Sequence, residues 1–117
     1  IGVLVKEAND NPEKAMLINA WLPKYLEAKT IDTNTKIIHL STDCVFSGKR
    51  GLYSELCEKD AIDFYGISKS LGEINNQKDL TIRTSIIGPE IKENGTGLFH
   101  WFINQKEPIN GYSNVFW

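Results

Sequence analysis

The sequence predicts an α/β fold built on a parallel sheet, and three observations carry that prediction. Short apolar or β-branched runs of strand length alternate with stretches of helical periodicity, the order that gives a parallel sheet with right-handed crossovers. The run Lys36–Ser41 (KIIHLS) reads as a strand buried in such a sheet. The 117 residues are 41% hydrophobic and 24% charged, which is globular rather than disordered composition.

Taken in order, Ile1–Val5 reads as a strand or the tail of one. Asn9-Asp10-Asn11-Pro12 is a helix start, with Asn or Asp as cap and Pro in the first turn. Ala15, Ile18, Trp21, Leu22, Tyr25 and Leu26 then recur at helical spacing and predict one apolar face. Pro23 should kink that helix, because it removes a donor and crowds the preceding turn. After the KIIHLS strand, residues 42–64 are loop-like, with Ser47-Gly48 and Arg50-Gly51 as turn signals. A second helix is expected from Phe64 to Gln77, and Leu80–Thr84 (LTIRT) as a further strand. Beyond it, Ile86–Asn94 reads as a loop, Thr96–Gln105 as a short helix, and Asn110-Gly111 as a turn.

Several function classes drop out. The net charge of −2 leaves no basic footprint for nucleic acid. No apolar run approaches the ~20 residues needed to span a bilayer. Cys44 and Cys57 are too few for a disulfide framework and lack metal-ligand spacing, so both are read as reduced, buried or half-buried thiols, with no metal. The opening has neither a basic leader nor a small-residue cleavage site, and the expected location is cytoplasmic. Two apolar ends, Ile1–Val5 and Val115-Phe116-Trp117, read as cuts through a larger fold. A parallel sheet cut along one strand exposes an edge that invites association, so either self-association as a homo-oligomer or partial disorder is expected of the fragment.

In open parallel sheets, ligands bind beyond the carboxyl ends of the strands, so the chemistry should follow Leu40 and Thr84. Ser41-Thr42-Asp43 stands at the first of these ends. A hydroxyl there can polarise a substrate carbonyl. Tyr65 and Lys69 are four apart on the following helix and share one face. An ammonium beside a phenol should lower its pKa from about 10 and let it serve as a general acid. Spacing alone is a weak signal, because Tyr25 and Lys29 repeat it on a helix with an apolar stripe. The strand, the Ser/Thr pair, a long loop and then Tyr-x-x-x-Lys form a more specific constellation. His39 inside a strand and His100 among Phe99, Trp101 and Phe102 are read as packed side chains, as is Trp101, and Asn94-Gly95-Thr96 as a turn.

Ser41-Thr42-Asp43-Cys44-Val45-Phe46-Ser47-Gly48, Tyr53-Ser54-Glu55, Tyr65-Gly66-Ile67-Ser68-Lys69, Gly72-Glu73 and Ile82-Arg83-Thr84-Ser85 resemble the extended short-chain dehydrogenase/reductases. The most similar branch is that of the dTDP-4-dehydrorhamnose reductases, with its S-T-D-Y-V-F, Y-x-E, Y-G-x-[ST]-K, G-E and R-T-S pattern. The resemblance runs in register from about Asn19 to Ser85. It implies a Rossmann-like doubly wound parallel sheet, of which residues 1–85 would be the central and C-terminal half with the catalytic residues. Residues 86–117 would begin the substrate-binding region.

The resemblance further implies NADP or NAD as cofactor, a sugar nucleotide as substrate, and reduction of its 4-keto group for polysaccharide precursors. Tyr65 would donate the proton, Lys69 would assist it and hold the nicotinamide ribose with Tyr65 and Ser41, and Thr42 would tune the tyrosine. Thr42 and Asp43 would touch the sugar, and Asn19 matches the helix asparagine near the proton relay. A nucleotide-sugar epimerase or dehydratase of the same superfamily is one alternative. A non-catalytic subunit resembling the regulatory subunit of methionine adenosyltransferase is another.

Three departures bear on that reading. The Gly-rich turn for the cofactor pyrophosphate is expected upstream of Ile1. Ile86 and Gly88 stand where the family carries an aromatic pair after R-T-S, which weakens the deoxysugar assignment. Cys44 stands where the family often has Tyr.

Overall fold

A computed structural model describes residues 5–91, 95 and 97–111. It divides into two compact units, residues 1–85 and 86–117. The first contains nearly all the regular structure. Ile1–Leu4 of the expected first strand lie outside the described residues, and Val5 opens a helix instead, α1 (Val5–Asp10), which buries Ala8.

The Asn-Pro signal works as expected. Asn11 accepts a hydrogen bond from the Lys14 N–H at 3.2 Å, and Pro12 sits in the first turn of α2 (Pro12–Ala15), where its missing donor does no harm. The helix then widens into a π-helical stretch, Met16–Trp21, before α3 (Leu22–Thr30). The Leu22 N–H bonds the Leu17 carbonyl, five residues back. Pro23, which supplies no N–H to the turn before it, is the local cause, and the interruption expected there takes this π form. The apolar stripe is covered only at its start. Ala15 is buried, whereas Trp21, Tyr25 and Leu26 are exposed.

Two strands, β1 (Ile38–Ser41) and β2 (Leu80–Arg83), pair in parallel with Ile38 opposite Leu80 and Ser41 opposite Arg83. Among the described residues these two are the whole sheet. The strand expected to be buried is covered on one face only. Residues alternate across a sheet, so His39, Ser41, Thr81 and Arg83 share the face on which Ser41 bonds Glu73 and Thr81 bonds the Ile74 backbone. Ile38, Leu40, Leu80 and Ile82 on the other face are 40–67% exposed.

Between the strands, Asp43–Val45 forms a single 3₁₀ turn, and α4 (Phe64–Gly72) follows. Asp63 caps α4 by accepting from the Gly66 N–H at 2.9 Å. The helix ends at Gly72 rather than Gln77, because Glu73 turns to extended backbone (ψ 131°). Tyr65 and Phe64 pack with Ile18 against Ala8 and Ala15, so the small core lies between α4 and the N-terminal helices.

In the second unit, α5 covers Leu98–Ile103, shorter than the helix expected from Thr96 to Gln105. Its large side chains are half-exposed, with Trp101 at 49%, contrary to the packed reading. A segment this short cannot build a core of its own. His100 meets the Phe99 ring edge-on at 5.8 Å. The turn expected at Asn94-Gly95-Thr96, and Trp117, fall on or beside residues outside the described set.

Candidate active site

The inward face of α4 is polar. Gly66, Ser68, Lys69 and Gly72 are buried, as is the flanking Glu73, while Ile67 and Leu71 are exposed. Buried polar side chains are the informative exception to apolar interiors. Two glycines make the close approach possible. A Cβ on Gly66 would lie 2.2 Å from the Cys44 carbonyl oxygen, and one on Gly72 would lie 1.9 Å from that of Asn19. The first brings the start of α4 onto the turn after β1, and the second sets its end on the π-helical stretch. Asn19 is 1% exposed, and its amide donates to the Ser68 hydroxyl at 3.2 Å.

This packing brings Thr42, Tyr65 and Lys69 together at the carboxyl end of β1. Lys69 is 8% exposed and donates to the Leu40 carbonyl at 2.7 Å. Ser41, buried beside it, donates its hydroxyl to Glu73 at 2.7 Å. Thr42 accepts from the Cys44 N–H and donates to Asp43, both at 3.2 Å. A cleft of about 400 Å³ lies along the turn and loop that follow, lined by Asp43, Cys44, Phe46, Ser47, Gly48 and Tyr53 and not by Thr42, Tyr65 or Lys69. One wall is the stacked pair Phe46–Tyr53, with ring centroids 4.5 Å apart.

The electrostatics differ from the expectation at one point. Burial pushes the Tyr65 phenol above its usual value, the Thr42 hydroxyl pulls it down, and Cys44, Asp43 and Asp63 push it up again. The sequence reading had Lys69 lowering it. Here the ammonium is directed at the Leu40 carbonyl, and burial lowers its own pKa against an upward pull from Glu73. Tyr65 is therefore a weaker acid here than an ordinary phenol, not the stronger one that its spacing from Lys69 suggested.

Sequence reasoning gave Glu73, Arg83 and Lys59 no role, yet they form the most strongly charged cluster of the site. Glu73 accepts from Arg83 Nε at 2.8 Å, Arg83 Nη2 at 2.9 Å and Lys59 at 3.0 Å. Burial pushes its carboxyl up, but Arg83, Ser41 and Lys59 outweigh that and hold it at about 2. The available signal was the acidic residue four positions after Lys69, on the same helical face. His39 Nε2 is buried without a partner among the described residues, and burial and Lys69 push the ring's pKa down against an upward pull from Glu73. Cys44 and Cys57 are unpaired and half-buried. No group of three metal-ligating side chains forms among the described residues, and no described helix is long and apolar enough to cross a membrane.

The family model described as the RmlD substrate binding domain matches residues 4–110. The chain is 41% identical over 70 residues to a probable low-salt glycan biosynthesis reductase of Haloferax volcanii, covering 59% of this chain and 23% of that protein. It is 37% identical over 68 residues to a dTDP-4-keto-6-deoxy-D-glucose reductase of Streptomyces niveus, covering 57% and 24%. A solved structure described as a hypothetical dTDP-4-dehydrorhamnose reductase from Sulfolobus tokodaii superposes with a TM-score of 0.63 at 36% identity. That alignment covers 68% of this chain and 30% of the other. The chain spans about a quarter of the length of the curated relatives it matches.

Proposed function

This chain belongs to the RmlD substrate binding domain family, and from that premise we propose that the whole protein is an NAD(P)H-dependent reductase of a nucleotide-linked 4-keto sugar. The observation that carries the reading is the meeting of the Thr42 hydroxyl, the Tyr65 phenol and the buried Lys69 ammonium at the end of β1. Relatives named as sugar reductases support it.

The donor set fits the nicotinamide-ribose end of such a cofactor. Lys69 and Tyr65 offer an ammonium and a hydroxyl at the carboxyl end of a parallel strand, where ligands bind, whereas the Ser41 hydroxyl expected beside them is donated to Glu73. Lys69 and Tyr65 would hold it. When bound, the reduced nicotinamide supplies the hydride and is left oxidised. Thr42 donates a hydrogen bond to the keto oxygen, which polarises the carbonyl. Tyr65 gives its proton to that oxygen as negative charge develops there, so C=O becomes CH–OH. Lys69, whose ammonium is directed at the Leu40 carbonyl, would serve by holding the cofactor ribose rather than by lowering the pKa of the phenol. Asp43 contacts the sugar in the cleft beside it, against the Phe46–Tyr53 wall.

The test is a cofactor-oxidation assay on the full-length protein, with NADPH or NADH and a panel of keto-sugar nucleotides. Oxidation that depends on the sugar is expected, and Tyr65→Phe should reduce it about 10²- to 10⁴-fold while cofactor binding survives. Full activity in that variant would remove Tyr65 from the chemistry. Sugar turnover without net cofactor consumption would assign an epimerase or dehydratase instead.

A further inference from the structure

Lys69 and Glu73 stand one helical turn apart and grip two successive residues of β1. Lys69 donates to the Leu40 carbonyl and Glu73 accepts from the Ser41 hydroxyl, each at 2.7 Å. The next residue along the strand is Thr42. Glu73 is 7% exposed, and the proton transfer from Tyr65 makes no use of it. Its carboxylate is fixed from two further elements, by the bidentate Arg83 guanidinium on β2 and by Lys59 in the loop before α4. Arg83 also donates to the Glu55 carbonyl at 3.2 Å and lies 5.0 Å from the Phe46 ring centroid. One carboxylate thus ties together the end of α4, both strand ends and the loop that supplies the aromatic wall of the cleft.

We propose that Glu73 is a positioning residue, whose carboxylate clamps the end of β1 so that Thr42 is held in register with Tyr65 and Lys69. Its kinetic consequence rests on the reductase reading, whereas the clamp itself does not. The geometry calls for a charge and not merely an acceptor. Two cations face the carboxylate, and an amide would take from both the charge they are bonded to. Glu73 also favours the charged form of Lys69 against burial, while burial and Lys69 push down the pKa of His39, the titratable group of β1 beside it.

The experiment compares full-length wild type with Glu73→Gln and Ser41→Ala, reading backbone hydrogen exchange at residues 41–43 and steady-state kinetics over a range of pH. Glu73→Gln should speed exchange at those amides at least about tenfold, the loss of a charge-assisted hydrogen bond. Turnover should fall about 10- to 100-fold, the order expected for a misplaced catalytic group, with KM nearly unchanged. The alkaline limb of its pH profile should move to lower pH, as Lys69 loses the carboxylate that favours its charge. Ser41→Ala should reproduce the exchange and turnover effects but leave the alkaline limb in place.

A folded Glu73→Gln with wild-type exchange at residues 41–43 would overturn the clamp. So would turnover reduced only in proportion to lost folded protein, with an unmoved pH profile. Should Glu73→Gln fail to fold, Ser41→Ala decides by the same exchange measurement. If wild type reduces no keto sugar, the exchange result still stands and the reductase reading alone fails.

Discussion

Tyr25 and Lys29 on α3 and Tyr65 and Lys69 on α4 share one spacing and have opposite surroundings. The outer tyrosine is 43% exposed, stacked on Trp21 at 4.8 Å, with the Lys29 ammonium 5.5 Å from its ring centroid. The inner lysine is 8% exposed and bonded to a strand carbonyl, and its tyrosine lies against the core beside Thr42. Helical spacing makes two side chains neighbours. What converts neighbours into a candidate site is where the helix face is pressed. On α4, Gly66 and Gly72 allow that face to meet the end of β1 and the π-helical stretch, and polar groups are buried there together. On α3 the corresponding face meets water.

The widest separation between the pairs should be seen in turnover. Lys69→Met in the full-length protein should lower kcat/KM at least about 10²-fold, as loss of a group that positions the cofactor beside the general acid. Lys29→Met should leave it unchanged. Equal effects from the two substitutions, measured in the same assay, would mean that burial does not distinguish them.

Acid titration tests the cluster behind the inner pair. Glu73 is held at about 2, below its ordinary 4.5, so its stabilising contribution is full above about 4.5 and is lost as the pH falls toward 2. The shift corresponds to about 3 kcal/mol. Urea unfolding of the full-length protein between pH 6 and 2, orders of magnitude apart in proton activity, should show that loss in wild type and a flatter curve in Glu73→Gln. Parallel curves would place the acid sensitivity elsewhere.

Gly72→Ala comes next in size. The added methyl would sit 1.9 Å from the Asn19 carbonyl oxygen, backbone that cannot simply rotate away. Overpacking of this kind costs about 1–3 kcal/mol, read as a fall in Tm. A variant with the wild-type Tm would show that α4 and the π-helical stretch are free to separate.

How much of this was legible follows from the range of each interaction. The Asn11-Pro12 start, both strands to within two residues and the meeting of Thr42, Tyr65 and Lys69 rest on local chemistry and motif order, and sequence carries those. The end of α4 was placed too late because its stop depends on Glu73 leaving the helix to meet Arg83 and Ser41, contacts ten and 32 residues away. The packed reading of Trp101 fails, and the apolar face carrying Trp21 stays exposed, because periodicity reports which face is apolar, not whether another layer covers it. The pKa of Tyr65 was misjudged for a related reason. Spacing put Lys69 beside it but could not reveal that the ammonium would find the Leu40 carbonyl.

The outer pair offers the smallest effect. Lys29 lies over the Tyr25 ring at an exposed site, where a cation–π contact contributes about 0.5–1 kcal/mol. Lys29→Met keeps the aliphatic stem against the ring and removes the charge, so thermal unfolding of the full-length protein should show a loss at the lower end of that range. Added salt should shrink it further, since exposed charges are screened beyond about 10 Å at 0.1 M and weakened within it. A loss well above about 1 kcal/mol, insensitive to salt, would mean that something covers α3 in the full-length protein. The outer Tyr-x-x-x-Lys pair would then be buried as well, and the contrast between the two helices would rest on their partners rather than on exposure.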